Sequence, residues 1–179
     1  MMSSFLIDAV KLKDLGNKAF ATGKYAESAQ LYGQCLEAAI VVESTGKLSS
    51  ADEKGLMELK PTIFLNLAAA NMKLQAWDGA RRLCNVALIF CNTPYLPLDD
   101  LGVADDINID TEAFEPILPE RKGAVVKALY RRGQCFLELG DAEKALMDFD
   151  HAISLSPEEK SLHSAKIKAE AAVADLNAM

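Results

Sequence analysis

Apolar residues recur at helical spacing through most of the chain, and the recurrence itself repeats. Three windows align on a glycine or alanine small enough to let two helices approach. The first runs from about 9 to 42 and contains Leu15-Gly16-Asn17-Lys18-Ala19-Phe20, Gly23-Lys24-Tyr25, Ser28, Tyr32 and Cys35. The second, about 61 to 94, puts Phe64, Leu67-Ala68, Trp77, Ala80, Cys84 and Ala87 in the matching places. The third, about 126 to 159, has Leu129, Gly133, Phe136, Gly140-Asp141, Ala145, Phe149, Ala152 and Pro157. Each window predicts a helix, a turn and a second helix, and Tyr25, Trp77 and Phe149 fall where packing side chains are expected. After Pro157, the run Glu158–Asn177 is rich in Ala, Lys and Glu and predicts one more helix, with Ser156-Pro157 as its cap and first-turn residue.

Small residues at the eighth, twentieth and twenty-seventh places of each window, with large apolar ones between, resemble the tetratricopeptide repeat. The resemblance implies an all-α fold in which three helix-turn-helix repeats stack as a right-handed superhelix, closed by a C-terminal capping helix over about 160–178. A helix pair cannot bury its apolar face alone, so neighbours stack and leave a concave groove.

Two insertions break the repeat register. Residues 43–60 separate the first two repeats; Ser44-Thr45-Gly46 and Ser49-Ser50-Ala51-Asp52-Glu53 mark a loop followed by a helix start, so the flanking helices are expected to be extended. The larger insertion, about 95–125, is acidic and proline-rich. It carries Asp99, Asp100, Asp105, Asp106, Asp110, Glu112, Glu115 and Glu120 with no base before Arg121. Apolar residues such as Tyr95, Ile107 and Phe114 suggest a partly ordered segment.

Composition removes several function classes. A net charge of −7 and a pI near 4.9 argue against nucleic acid as the main partner. No apolar run reaches the roughly 18–20 residues of a membrane span, and the N-terminus lacks the basic start of a signal peptide. Cys35, Cys84, Cys91 and Cys135 are scattered without CxxC pairs, and His151 and His163 have no ligand at metal spacing. Buried thiols in a reducing, cytoplasmic setting follow, with no metal, no cofactor and a monomeric state expected. A Gly-rich phosphate loop and a nucleophile with a histidine base are both missing, which argues against an enzyme.

What remains is a set of donors. Lys13 and Asn17 stand four residues apart on one helix face, as do Lys127 and Arg131, and Asn66 lies in the first helix of the second repeat. Two cations stacked on one face repel each other, so the spacing makes sense around an anion. Stacking is expected to bring all five to one region of the groove, with no carboxylate at these positions to neutralise them. Such a set wants a ligand with two close carboxylates. Arg131 and Arg132 adjoin, so only one can face the groove; Arg132 is assigned a structural bond.

Lys13-Asp14-Leu15-Gly16-Asn17, Asn66-Leu67-Ala68 and Lys127-Ala128-Leu129-Tyr130-Arg131-Arg132-Gly133 resemble the dicarboxylate clamp of co-chaperone tetratricopeptide domains. The segment 64–80 is also similar to that of the large immunophilins. The resemblance implies the C-terminal Glu-Glu-Val-Asp peptide of heat-shock protein 90 or 70 as ligand. Lys13, Asn17 and Asn66 would hold the terminal carboxylate, Lys127 the last aspartate side chain, and Arg131 the clamp and the upstream backbone. Phe20, Ala69 and Lys73 share the inner faces by repeat position and are candidates for a pocket around the penultimate valine. The alternative is a scaffold whose groove takes another acidic partner or an internal segment, such as the acidic insertion folding back.

Overall fold

The structure, a computed structural model, describes residues 3–44, 48–93 and 117–178. Among these residues there are seven helices and no strand: α1 Ser4–Ala21, α2 Tyr25–Ser44, α3 Ser50–Lys73, α4 Trp77–Asn92, α5 Lys122–Glu138, α6 Ala142–Leu155 and α7 Lys160–Asn177. They pack as successive antiparallel pairs, α1 with α2, α3 with α4 and α5 with α6, and α7 closes the stack against α6. The first helices α1, α3 and α5 also touch one another in order and form one layer. Most of the acidic insertion, residues 94–116, lies outside the described residues.

Size complementarity explains how each pair closes. A Cβ on Gly16 would sit 2.6 Å from the Tyr32 ring, and one on Gly133 would sit 2.6 Å from the Phe149 ring. The glycine of the first helix thus receives the aromatic ring of the second. In the middle repeat Ala68 stands in the glycine's place and the smaller Cys84 in the ring's place, and both are fully buried. Tyr32 and Phe149 are buried as well, each contributing about 1.5–3 kcal/mol through its apolar area. Gly133→Ala is therefore expected to destabilise the domain by about 1–3 kcal/mol, because the Phe149 ring is enclosed and cannot swing aside. A urea unfolding curve with unchanged slope and a lower midpoint would show this.

The turns repeat too. Gly23 and Gly140, which link the helices of the first and third pairs, have φ of 77° and 83°. The matching residue of the middle pair is Gln75, held at φ 59° in the left-handed region that disfavours side chains.

The shorter insertion is absorbed by helix. The α2 helix continues to Ser44, and α3 begins at Ser50, eleven residues before Pro61, which the repeat register takes as its start. Ser49 caps α3 by accepting the Asp52 N–H at 3.2 Å, and Asp52 Oδ1 accepts the backbone N–H of Ser3 at 2.7 Å. The start of α1 is thereby tied to the start of α3. Pro61 ends up inside α3, where it has no N–H to offer the carbonyl four residues back. That carbonyl belongs to Met57, and the buried Arg121 donates to it from Nη1 at 2.7 Å. An arginine at the return of the long connection therefore satisfies a group that the proline orphaned.

Further polar pairs are buried between helices. Lys60 of α3 forms an ion pair with Glu43 of α2, and its ammonium lies 5.1 Å from the Phe90 ring centre. Arg132 of α5 donates from Nε and Nη2 to the two carboxylate oxygens of Asp148 on α6, at 2.8 and 2.6 Å. Its Nη1 donates to Asn85 Oδ1 of α4 at 2.9 Å. Arg132 has the structural bond assigned to it from sequence, and it joins three helices with one side chain.

The four cysteines are free and buried. Burial pushes their thiols up, Cys35 and Cys91 to about 11 and Cys135 to about 12, with Cys84 raised too. Among the described residues no group of three or more His, Cys, Asp or Glu side chains could hold a metal ion, and no helix is long and apolar enough to cross a membrane. The cap of the last helix departs from expectation. The helix begins at Lys160 with Glu159 in the cap position, because Ser156-Pro157 is used in a turn closed by the Glu159 N–H on the Ser156 carbonyl at 3.2 Å.

Candidate functional site

The five donors singled out in the sequence lie on the layer of first helices: Lys13 and Asn17 on α1, Asn66 on α3, and Lys127 and Arg131 on α5. Asn17 and Asn66 meet directly, Asn66 Nδ2 donating to Asn17 Oδ1 at 3.0 Å. The same Oδ1 accepts the Tyr32 hydroxyl at 2.8 Å. With its oxygen engaged twice, Asn17 is left with both Nδ2 hydrogens to offer, and Asn66 with one.

Arg131 reaches the same place from α5. Its Nη1 donates to the carbonyl of Leu65, the residue before Asn66. The guanidinium is largely buried, and burial pulls it below the usual arginine range, with Cys84 and Tyr32 opposing that shift. An arginine so placed stays protonated, and its remaining N–H groups form a rigid fork in a poorly solvated setting. An anion binding there meets donors that water screens weakly.

Lys13 stands one turn before Asn17, with a side chain 23% exposed, and Asp14 lies 3.6 Å from its ammonium. A carboxylate does therefore border the site, although Asp14 is itself more than half exposed and the pair is loose. Lys127 is exposed, one turn before Arg131. It lines a cleft of about 430 Å³ between the start of α5 and the start of α7, together with Lys122, Val126, Tyr130 and Leu162. A second cleft of about 260 Å³ is bordered by Met72, Trp77, Tyr130, Leu137 and Lys168. Tyr130 and Ser161 line both. Asn17 and Asn66 are thus bonded to each other and Arg131 to the Leu65 carbonyl beside them, while Lys13 and Lys127 extend the set by one helical turn each.

Of the residues assigned to a valine pocket, Phe20 is half-buried with its ring edge-on to Tyr25 at 5.2 Å. Ala69 is half-buried on α3, and Lys73 is exposed in its last turn. Trp77 is only partly in the core, since one side of it borders the second cleft. Sequence reasoning named Tyr32 only as a residue of the first repeat and missed its hydroxyl. The signal was present: the equivalent places of the other repeats hold Cys84 and Phe149, which have no hydroxyl.

The described residues have the stacked helix-pair fold of tetratricopeptide-repeat domains, and residues 126–159 match the family model of the tetratricopeptide repeat. The chain is 25% identical over 150 residues to the human peptidyl-prolyl cis-trans isomerase FKBP4, covering 84% of this chain and 25% of that protein. It therefore spans about a quarter of the length of the curated relatives it matches. Among solved structures, the C-terminal TPR-containing domain of a Plasmodium falciparum FK506-binding protein superposes with a TM-score of 0.71 at 16% identity, over 98% of this chain and 94% of that one. The first TPR of Spaghetti (RPAP3), bound to the HSP90 peptide SRMEEVD, superposes with a TM-score of 0.62 at 22% identity, over 97% of both chains.

Proposed function

We propose that this domain is a co-chaperone docking module that holds the acidic C-terminal peptide of heat-shock protein 90 or 70, and that it acts as an adaptor rather than as an enzyme. The observation that carries the reading is the bonded cluster of Asn17, Asn66 and Arg131 on the first-helix layer. The clamp-like spacing of Lys13 and Lys127 around it adds to the case, as does the fold shared with a domain bound to an HSP90 peptide. In this reading Lys13, Asn17 and Asn66 take the terminal carboxylate, Lys127 takes the side chain of the last aspartate, and Arg131 adds to the clamp and reaches the upstream backbone. Charge-assisted bonds of this kind are the strong ones, and a terminal carboxylate exists only at a chain end. The working partners are cytoplasmic chaperones, and the domain acts as a monomer.

Calorimetric titration with peptides ending in the heat-shock protein 90 and 70 sequences tests this. Micromolar binding is expected, about −8 kcal/mol. Amidating the C-terminus removes an anionic oxygen and should weaken binding at least tenfold, as should raising the salt from low to molar concentration. If free and amidated peptides bind equally, the donors do not clamp a terminal carboxylate.

A further inference from the structure

The first and third helix pairs contain the same packing device with one chemical difference. Gly16 receives the Tyr32 ring and Gly133 receives the Phe149 ring, each with 2.6 Å between a built Cβ and the nearest ring carbon. Phe149 is 0% exposed and Tyr32 2% exposed, so a phenyl ring alone satisfies this contact. The hydroxyl of Tyr32 is an addition that packing does not require. It leaves the core at the groove side and donates to Asn17 Oδ1 at 2.8 Å.

An unrestrained asparagine amide can present either its oxygen or its nitrogen to a ligand. Presenting the oxygen to a carboxylate would set two acceptors against each other. Here the Tyr32 hydroxyl and Asn66 Nδ2 both donate to Asn17 Oδ1, so the oxygen turns into the protein and Nδ2 turns outward. Asn66 lies on another helix and is itself assigned to the ligand, so the hydroxyl is the donor that stays in place whether or not the groove is filled.

We propose that Tyr32 is a positioning residue of the anion site: its hydroxyl fixes the Asn17 amide with both N–H groups facing the ligand carboxylate. The inference rests on the docking reading above and adds a residue that touches no ligand. Gly16 belongs to the same device, since any side chain there would displace the ring that carries the hydroxyl.

Tyr32→Phe is the test, because Phe149 already shows that the phenyl ring packs against a glycine in this fold. The probe is the peptide SRMEEVD with a free C-terminus, titrated by NMR against wild type, Tyr32→Phe, Asn17→Ala and the double variant. Tyr32→Phe is expected to lower the melting temperature by no more than about 4 °C and to weaken binding roughly three- to tenfold. In the Asn17→Ala background the same change should cost nothing further, since the amide it orients is gone. In the free protein, the Asn17 side-chain amide signals should shift in Tyr32→Phe. Unchanged affinity in Tyr32→Phe, or an equal loss in the Asn17→Ala background, would overturn this inference and leave the docking reading standing. Wild type that does not bind the peptide overturns the docking reading, and the inference falls with it.

Discussion

Asp148→Ala is expected to destabilise the domain by about 3–5 kcal/mol, the largest effect of any single side-chain truncation argued from this structure. The reason is what the change leaves behind. Arg132 is 5% exposed, and two of its three donating nitrogens point at the Asp148 carboxylate. Removing that carboxylate strands a guanidinium charge inside the stack with Asn85 as its remaining neutral partner. Domains of this size have about 5–15 kcal/mol of stability, so the loss would take about a fifth of it or more. Urea denaturation followed by circular dichroism measures it. The companion variant, Asp148→Leu with Arg132→Met, removes both charges and should recover most of the loss, because a buried pair often gains little over apolar side chains of similar volume. If the double variant is as unstable as Asp148→Ala, the cost is the cavity and not the stranded charge. The triad joins α4, α5 and α6, so the single variant should loosen the third repeat first.

Arg131→Ala is expected to reduce affinity for SRMEEVD by about ten- to two-hundredfold, the loss of one charge-assisted contact of about 1.5–3 kcal/mol. Its effect on stability should be much smaller, about 1 kcal/mol, because the fold loses one hydrogen bond to the Leu65 carbonyl. Titration and thermal unfolding of the same variant separate the two. Arg131→Lys sharpens the result. A lysine keeps the charge but cannot place one donor on Leu65 and a rigid fork on the ligand together, so it should restore only part of the affinity. Complete restoration would mean that charge alone matters at this position.

Much of this was legible in the sequence because helix pairing is a local matter. The glycine or alanine at the eighth place and the side chain sixteen residues later are in one pair, so spacing alone places Gly133 against Phe149. The five candidate donors were readable for the same reason, since a residue's place within its repeat fixes its helix face. Contacts between pairs were not readable. Nothing in the spacing of Arg132, Asp148 and Asn85 singles them out from other polar residues, and their bond depends on how three helices stack. Pro61 lies inside α3, whose extension ahead of the repeat was expected, but the group that satisfies the carbonyl it frees, Arg121 sixty positions away, could not be read from local spacing. The capping signal Ser156-Pro157 misled by three residues because a preceding turn took the same pattern. The hydroxyl of Tyr32 was overlooked because the residue lies on a second helix, whereas the groove is lined by first helices.

The buried cysteines have a use that their chemical quietness creates. A thiol near 11 is a thiolate in roughly one molecule in ten thousand at neutral pH, and alkylating reagents attack the thiolate. Such a residue reacts only when its helix pair opens to water. Cys35 belongs to the first pair, Cys84 and Cys91 to the second, and Cys135 to the third. Peptide-resolved alkylation over time would therefore clock the opening of each repeat separately, with reporters already installed by the natural sequence.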